Sequence, residues 1–140
     1  MTIDTTSNKL VILSNTISGC PYTFQANTST SFTKSSIKDS VVYLEDSMVE
    51  GYKVSDSVSL VNSSFEVPNF NFLLGNTASG FACNGGLLGL SRTFDSSYSL
   101  YYEELYKLGK TPSSVFALYM ANDSSSTFQI GGFNSSYIKT

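Results

Sequence analysis

The side chains able to do hydrolytic chemistry in this sequence are its carboxylates. No histidine occurs among the 140 residues. This removes serine–histidine and cysteine–histidine nucleophile pairs, and histidine-ligated metals, in one stroke. Cys20 and Cys83 lie far apart and form no C-x-x-C redox or zinc motif. There is no G-x-S-x-G, no phosphate-binding loop and no dinucleotide fingerprint. Among the eleven acidic residues, Asp4 heads the run Asp4-Thr5-Thr6-Ser7. Read alone, that run is ordinary turn or helix-capping chemistry. Its meaning depends on the segments downstream of it in the chain.

The elements that would position Asp4 read as strands. Apolar residues make up 41% and charged residues only 14%, while Ser, Thr, Tyr and Phe are abundant. That composition favours sheets and hydroxyl-rich turns over long surface helices. The length suits one domain, residues 1–140. Leu10–Leu13 is a short β-branched run, and Val41–Leu44 is a second. After the polar stretch Glu45–Glu50, period-two alternation runs through Tyr52, Val54, Asp56, Val58 and Leu60, so the two runs read as a hairpin. Phe70 and Phe72 alternate with Asn in a further strand, Asn69–Leu74. Gly85–Leu90 is an apolar core bracketed by glycines, where backbones approach closely. The spacing of Leu100, Tyr101, Leu105 and Leu108 predicts one helix, Ser97–Leu108, stopped by Gly109. Val115–Met120 and Thr127–Ile130 form a last hairpin. The net charge of −3 and the scattered basic residues argue against a nucleic-acid partner. No apolar run is long enough to span a membrane.

Five segments in order resemble the pepsin-like aspartic protease family. Ile3-Asp4-Thr5-Thr6-Ser7-Asn8-Lys9-Leu10-Val11 is similar to its hydrophobic-Asp-Thr-Gly-Ser-x-x-Leu-Trp segment. Tyr43-Leu44-Glu45-Asp46-Ser47-Met48-Val49-Glu50-Gly51 resembles the Tyr-Gly-Asp-Gly-Ser-x-x-x-Gly flap of the plant, nepenthesin-like branch. Gly86-Leu87-Leu88-Gly89-Leu90 resembles the segment at which that family makes its psi-shaped loop. Val115–Met120 and Ile130-Gly131-Gly132-Phe133-Asn134-Ser135-Ser136-Tyr137 match its closing strands. The resemblance covers nearly the whole chain. It implies an all-β fold, one lobe of a bilobal acid protease with one or two short helices, facing a second lobe across a cleft.

The resemblance also implies roles. Asp4 would be one of two catalytic aspartates, supported by Thr5, Thr6 and Ser7, with Thr5 bonding across the lobe interface and Ser7 bonding the Asp4 carboxylate. Tyr43 would be the flap tyrosine over a bound peptide, and Leu87 and Phe81 candidate walls of the adjoining pocket, with core packing the favoured reading of both apolar residues. No cofactor or metal is implied; the partners would be an extended peptide or protein substrate and the missing C-terminal lobe. The sequence departs from the family at Thr6, Val11, Leu44, Asp46 and Gly85, all around the site or its cover. A Thr6 forced to positive φ would strain the loop, and Val11 in place of Trp would deprive Tyr43 of an anchor. No second Asp-Thr-Gly or Asp-Ser-Gly occurs. Asp4 therefore lacks a partner within the chain, and the segment is expected to be the N-terminal lobe of a longer enzyme. A non-catalytic peptide- or protein-binding relative is the alternative, and a self-dimerising single lobe ranks below it. Cys20 and Cys83 would pair with each other or with cysteines elsewhere. Sequons at Asn27, Asn62, Asn122 and Asn134 suit a secreted or lysosomal/vacuolar glycoprotein, with glycans expected at Asn27 and Asn122. Leu10–Leu13 and Gly131-Gly132 are expected at the lobe interface.

Overall fold

Alternation along the second strand sets the two faces of the main sheet. The computed structural model describes residues 1–43, 47–60, 64–81, 83–92, 97–122 and 125–138. The strands are β1 (Thr2–Asp4), β2 (Leu10–Leu13), β3 (Lys38–Tyr43), β4 (Ser47–Val58), β5 (Val67–Ser79), β6 (Leu87–Gly89), β7 (Phe116–Tyr119) and β8 (Thr127–Ile130), with one helix, α1 (Tyr101–Lys107). In β2, Leu10 joins a core with Val54, Phe70, Phe72, Leu74 and Leu88, closed by Tyr101, Tyr102 and Leu105 of the helix. Val11 and Leu13 point the other way, into a second core with Val49, Leu73 and Leu87. Successive strand side chains leave opposite faces, so a curled sheet with apolar residues on both faces needs cover on both. The expectation that Leu10–Leu13 lies at an open interface is thus wrong, because Val11 and Leu13 are fully buried between β5 and β6.

Six strands run in the order β1-β6-β2-β5-β4-β3, and β7-β8 form a separate two-stranded sheet. The all-β expectation holds: the larger sheet curls into a half-barrel, and α1 is the single α-helix among the described residues. The unusual step is β6. It arrives late in the chain yet inserts between β1 and β2, parallel to β1 and antiparallel to β2. The loop 5–9 must therefore pass over the end of β6, and Gly89 makes room for it. A Cβ on Gly89 would lie 2.6 Å from the Lys9 backbone N and O and 2.7 Å from the Ser7 carbonyl, closer than real side chains approach backbone. At the other end of β6, a Cβ on Gly86 would meet the Val11 carbonyl at 2.0 Å.

Two element boundaries differ from the sequence reading. The helix begins at Tyr101, not Ser97, because Leu100 is extended (φ −88°, ψ 134°) and Tyr98 and Leu100 are buried ahead of the first helical turn. The second strand of the hairpin starts at Ser47 within the stretch read as polar loop. Val49 pairs with Val41 and is fully buried, which draws the strand past Glu50. Leu44, Glu45 and Asp46 of the expected flap, the Asn62 sequon and Ser124 of the Asn122 sequon lie outside the described residues.

Candidate active site

Asp4 is the last residue of β1, paired in register with Gly89. The loop after it is fastened to the exit of β6 by three backbone bonds. The Gly89 amide donates to the Lys9 carbonyl (3.0 Å), Leu90 to Asp4 (2.8 Å) and Ser91 to Ser7 (2.9 Å). Fixed in this way, the loop turns its own donors back onto the Asp4 carboxylate. Oδ1 accepts from the Thr6 amide at 2.8 Å and the Thr6 hydroxyl at 2.7 Å, and Oδ2 accepts from the Ser7 amide at 3.1 Å.

These donors decide the charge of Asp4. Burial alone would raise its pKa, because a charged carboxylate loses water. The Thr6 hydroxyl and amide, then the Ser7 side chain and amide, act in the opposite direction and hold it below the ordinary aspartate value. Asp4 is only 5% exposed, and the donors of its own loop outweigh the desolvation. The Ser7 hydroxyl lies beside the carboxylate but makes no well-formed hydrogen bond and is itself shut off from solvent. The Ser7 amide, and not the hydroxyl expected from the sequence, is the group that bonds the carboxylate.

Thr6 would strain the loop only at positive φ, and that condition is not met. The only non-glycine residue with positive φ among those described is Asn69, so Thr6 sits in an ordinary backbone conformation. In place of a glycine it contributes a hydroxyl donor. Thr5 is exposed beside it.

The remaining candidates divide. Tyr43 ends β3, at the far edge of the sheet from β1, and its ring meets Phe81 edge-to-face at 6.2 Å. Both pack on the second core, whose members include Val11 and Leu87. The smaller Val11 is absorbed into that core, and Phe81 gives Tyr43 an aromatic neighbour of its own. Leu87 is fully buried, so it supports the core and offers no wall to a pocket. Cys20 and Cys83 are bonded to each other, their Cα atoms 4.8 Å apart, which ties the segment after β2 to the segment before β6. Among the described residues, no group of three or more His, Cys, Asp or Glu side chains is placed to hold a metal ion. No described helix is long and apolar enough to cross a membrane.

A second charged constellation adjoins the Asp4 loop and was not legible in the sequence. Lys9 closes on Asp39 of β3, with Nζ at 2.8 and 2.7 Å from the two carboxylate oxygens. Burial raises the Asp39 pKa, but Lys9, the Tyr98 hydroxyl and the Ser40 amide together lower it. The partners are 30 residues apart, and no local pattern announces them. Asp56 on β4 is also buried, and Ser29, Ser31 and the Ser57 amide satisfy it.

No curated protein is similar enough in sequence to be matched. The family model for eukaryotic aspartyl proteases, however, matches residues 1–140, the full length of the chain. On that match over its whole length, the chain belongs to the eukaryotic aspartyl protease family.

Proposed function

We propose that this chain is the N-terminal lobe of a bilobal acid endopeptidase, with Asp4 as one of its two catalytic aspartates. The observation that carries this reading is the Asp4 carboxylate, buried at the end of β1 and held ionised by the Thr6 and Ser7 donors. Two carboxylates close enough to share one proton cannot both ionise. The member whose pKa is pulled down is the base. It takes a proton from water as the water oxygen attacks the peptide carbonyl carbon, while the protonated partner gives its proton to the carbonyl oxygen. The breakdown step then returns a proton to the leaving nitrogen as the C–N bond breaks. Asp4 is suited to the first role, and an aspartate of the second lobe would supply the other. Tyr43, braced on Phe81, would close over an extended peptide, and Thr5, exposed beside Asp4, is open to bonding across the lobe interface. The segment Tyr43–Gly51 supports a nepenthesin-like subtype.

The Cys20–Cys83 bond supports a secreted or vacuolar setting, because such bonds persist in oxidising compartments. Asn27, exposed in the turn Ala26–Thr28, is open to a glycan. Expression in a eukaryotic host should yield a glycosylated, exported product; a cytosolic, unmodified product would refute that setting.

One observation favours a second reading, a non-catalytic peptide binder: Oδ1 of Asp4 already accepts two donors from Thr6, leaving less of the carboxylate open to a partner acid. One experiment separates the two. The two-lobe parent, its Asp4→Asn variant and the 140-residue chain are each given a mixed peptide library across acid pH. The enzyme reading predicts cleavage by the parent alone. Capture of peptides without cleavage by the parent would establish the binder.

A further inference from the structure

We infer that Lys9 is a positioning residue for Asp4, a strut that sets the spacing between the Asp4 loop and the strand carrying Tyr43. This rests on the reading of Asp4 as the catalytic carboxylate. Lys9 is the last residue of the loop 5–9, immediately before β2. Its main chain belongs to the β6 side of the site, since its carbonyl accepts the Gly89 amide at 3.0 Å. Its side chain goes elsewhere. The ammonium directs its three hydrogens to Asp39 Oδ1 (2.8 Å), Asp39 Oδ2 (2.7 Å) and the Ser40 carbonyl (2.9 Å), all on β3.

β2 and β3 are not neighbours in the sheet; β5 and β4 lie between them. The ion pair therefore bridges strands that no backbone ladder joins, across the hollow of the curled sheet. Asp39 lies four positions before Tyr43 on the same strand, so the strut fixes the base of the hairpin that ends in Tyr43 relative to the loop that donates to Asp4.

The contact is also built to stay closed. The Lys9 side chain is only 15% exposed and that of Asp39 27%, so solvent screens the pair less than an open surface pair. The Lys9 ammonium lies 5.2 Å from the centroid of the buried Tyr98 ring, and Lys53 of β4 lies 5.0 Å from the same centroid. Each ammonium thus lies within cation–π range of the same ring. Lys53 also donates to the Ser97 carbonyl, which holds the segment bearing Tyr98 beneath the strut. Loop 5–9 is consequently tied at Lys9 from two directions, by its backbone to β6 and by its side chain to β3. The amides of Thr6 and Ser7 keep their aim at Asp4 only while that end of the loop is fixed.

The test compares Lys9→Met, Lys9→Arg and Asp39→Asn in the 140-residue chain. The readouts are hydrogen exchange at the Thr6 and Ser7 amides, exchange across β7–β8 as an internal control, and the carboxyl titration of Asp4. Lys9→Met should speed exchange at Thr6 and Ser7 by about fivefold, leave β7–β8 unchanged and raise the Asp4 midpoint. Lys9→Arg, which can bond Asp39 with two N–H groups, should restore wild-type values. Unchanged Thr6 and Ser7 exchange in Lys9→Met would overturn the inference. An equal rise in β7–β8 would also overturn it, because the effect would then be general destabilisation. Should Lys9→Met fail to fold, Asp39→Asn removes the charge at constant size and is judged by the same two results. No readout depends on turnover, so a failure of peptide cleavage and a failure of the strut are seen separately.

Discussion

Replacing Thr6 with Val removes one hydroxyl and keeps the branched side chain, and it tests directly what the Asp4 loop does. A hydrogen bond to a charged acceptor is worth about 1.5–3 kcal/mol when buried. Here the bond is short, 2.7 Å from Thr6 Oγ1 to Asp4 Oδ1, but Thr6 is exposed and Oδ1 keeps the Thr6 amide as a second donor. The loss should therefore fall below that range, at about 1 kcal/mol, or about 4 °C in the thermal midpoint. The sign with pH comes from the depressed Asp4 pKa. A group whose pKa is lower folded than unfolded stabilises the fold above its unfolded value, and that stabilisation is lost as pH falls through the folded value. The gap between wild type and Thr6→Val should thus be full at neutral pH and shrink in strong acid, while the Asp4 titration midpoint rises in the variant. Denaturant unfolding at neutral and strongly acid pH measures both ends. Thr6→Gly adds backbone freedom to the same loss and should be worse by about 0.5–1 kcal/mol. If Thr6 were instead a strained replacement for glycine, Thr6→Gly would stabilise the chain. That outcome, or a Thr6→Val gap independent of pH, would refute the reasoning.

The other predictions concern the frame that holds the loop. Gly89→Ala places a Cβ 2.6 Å from the Lys9 backbone and should cost upwards of about 3 kcal/mol in denaturant unfolding. Gly132→Ala, with nothing within 4 Å of its Cβ, should cost less than about 1 kcal/mol. A Gly89→Ala variant as stable as wild type would mean that β6 does not pass beneath the loop as described. Opening the Cys20–Cys83 crosslink, whose ends are 63 residues apart, should cost about 4 kcal/mol by loop-closure entropy. Unfolding of Cys20→Ser/Cys83→Ser beside the oxidised chain checks this, and equal stability would contradict it.

The features legible in the sequence were periodic or local. Phe70 and Phe72, read as alternating with Asn, do share one core, and the glycines of 85–89 marked a close approach before any partner was visible. Gly109 stopped the helix where expected, with φ +68°. The N-terminal end of that helix was misplaced because helical spacing cannot tell an extended, buried Tyr98 and Leu100 from a first turn. In the candidate site, Asp4 was singled out by its setting, but the part played by Thr6 depended on a backbone angle that residue type does not determine. Lys9 and Asp39 were invisible because their contact is made by the curl of the sheet. Leu87 belongs to the core, as its place beside a core motif favours, because a strand inserted between two others is enclosed on both sides.

The state of the Asp4 carboxylate tests the central claim most directly. Carboxyl-carbon NMR of the 140-residue chain, titrated through the acid range and assigned by comparison with Asp4→Asn, reads its midpoint without any need for turnover. The account predicts a midpoint below that of an ordinary aspartate, moving upward in Thr6→Val. A midpoint at or above the ordinary value, unmoved by Thr6→Val, would contradict it, because the loop would then not be holding Asp4 ionised.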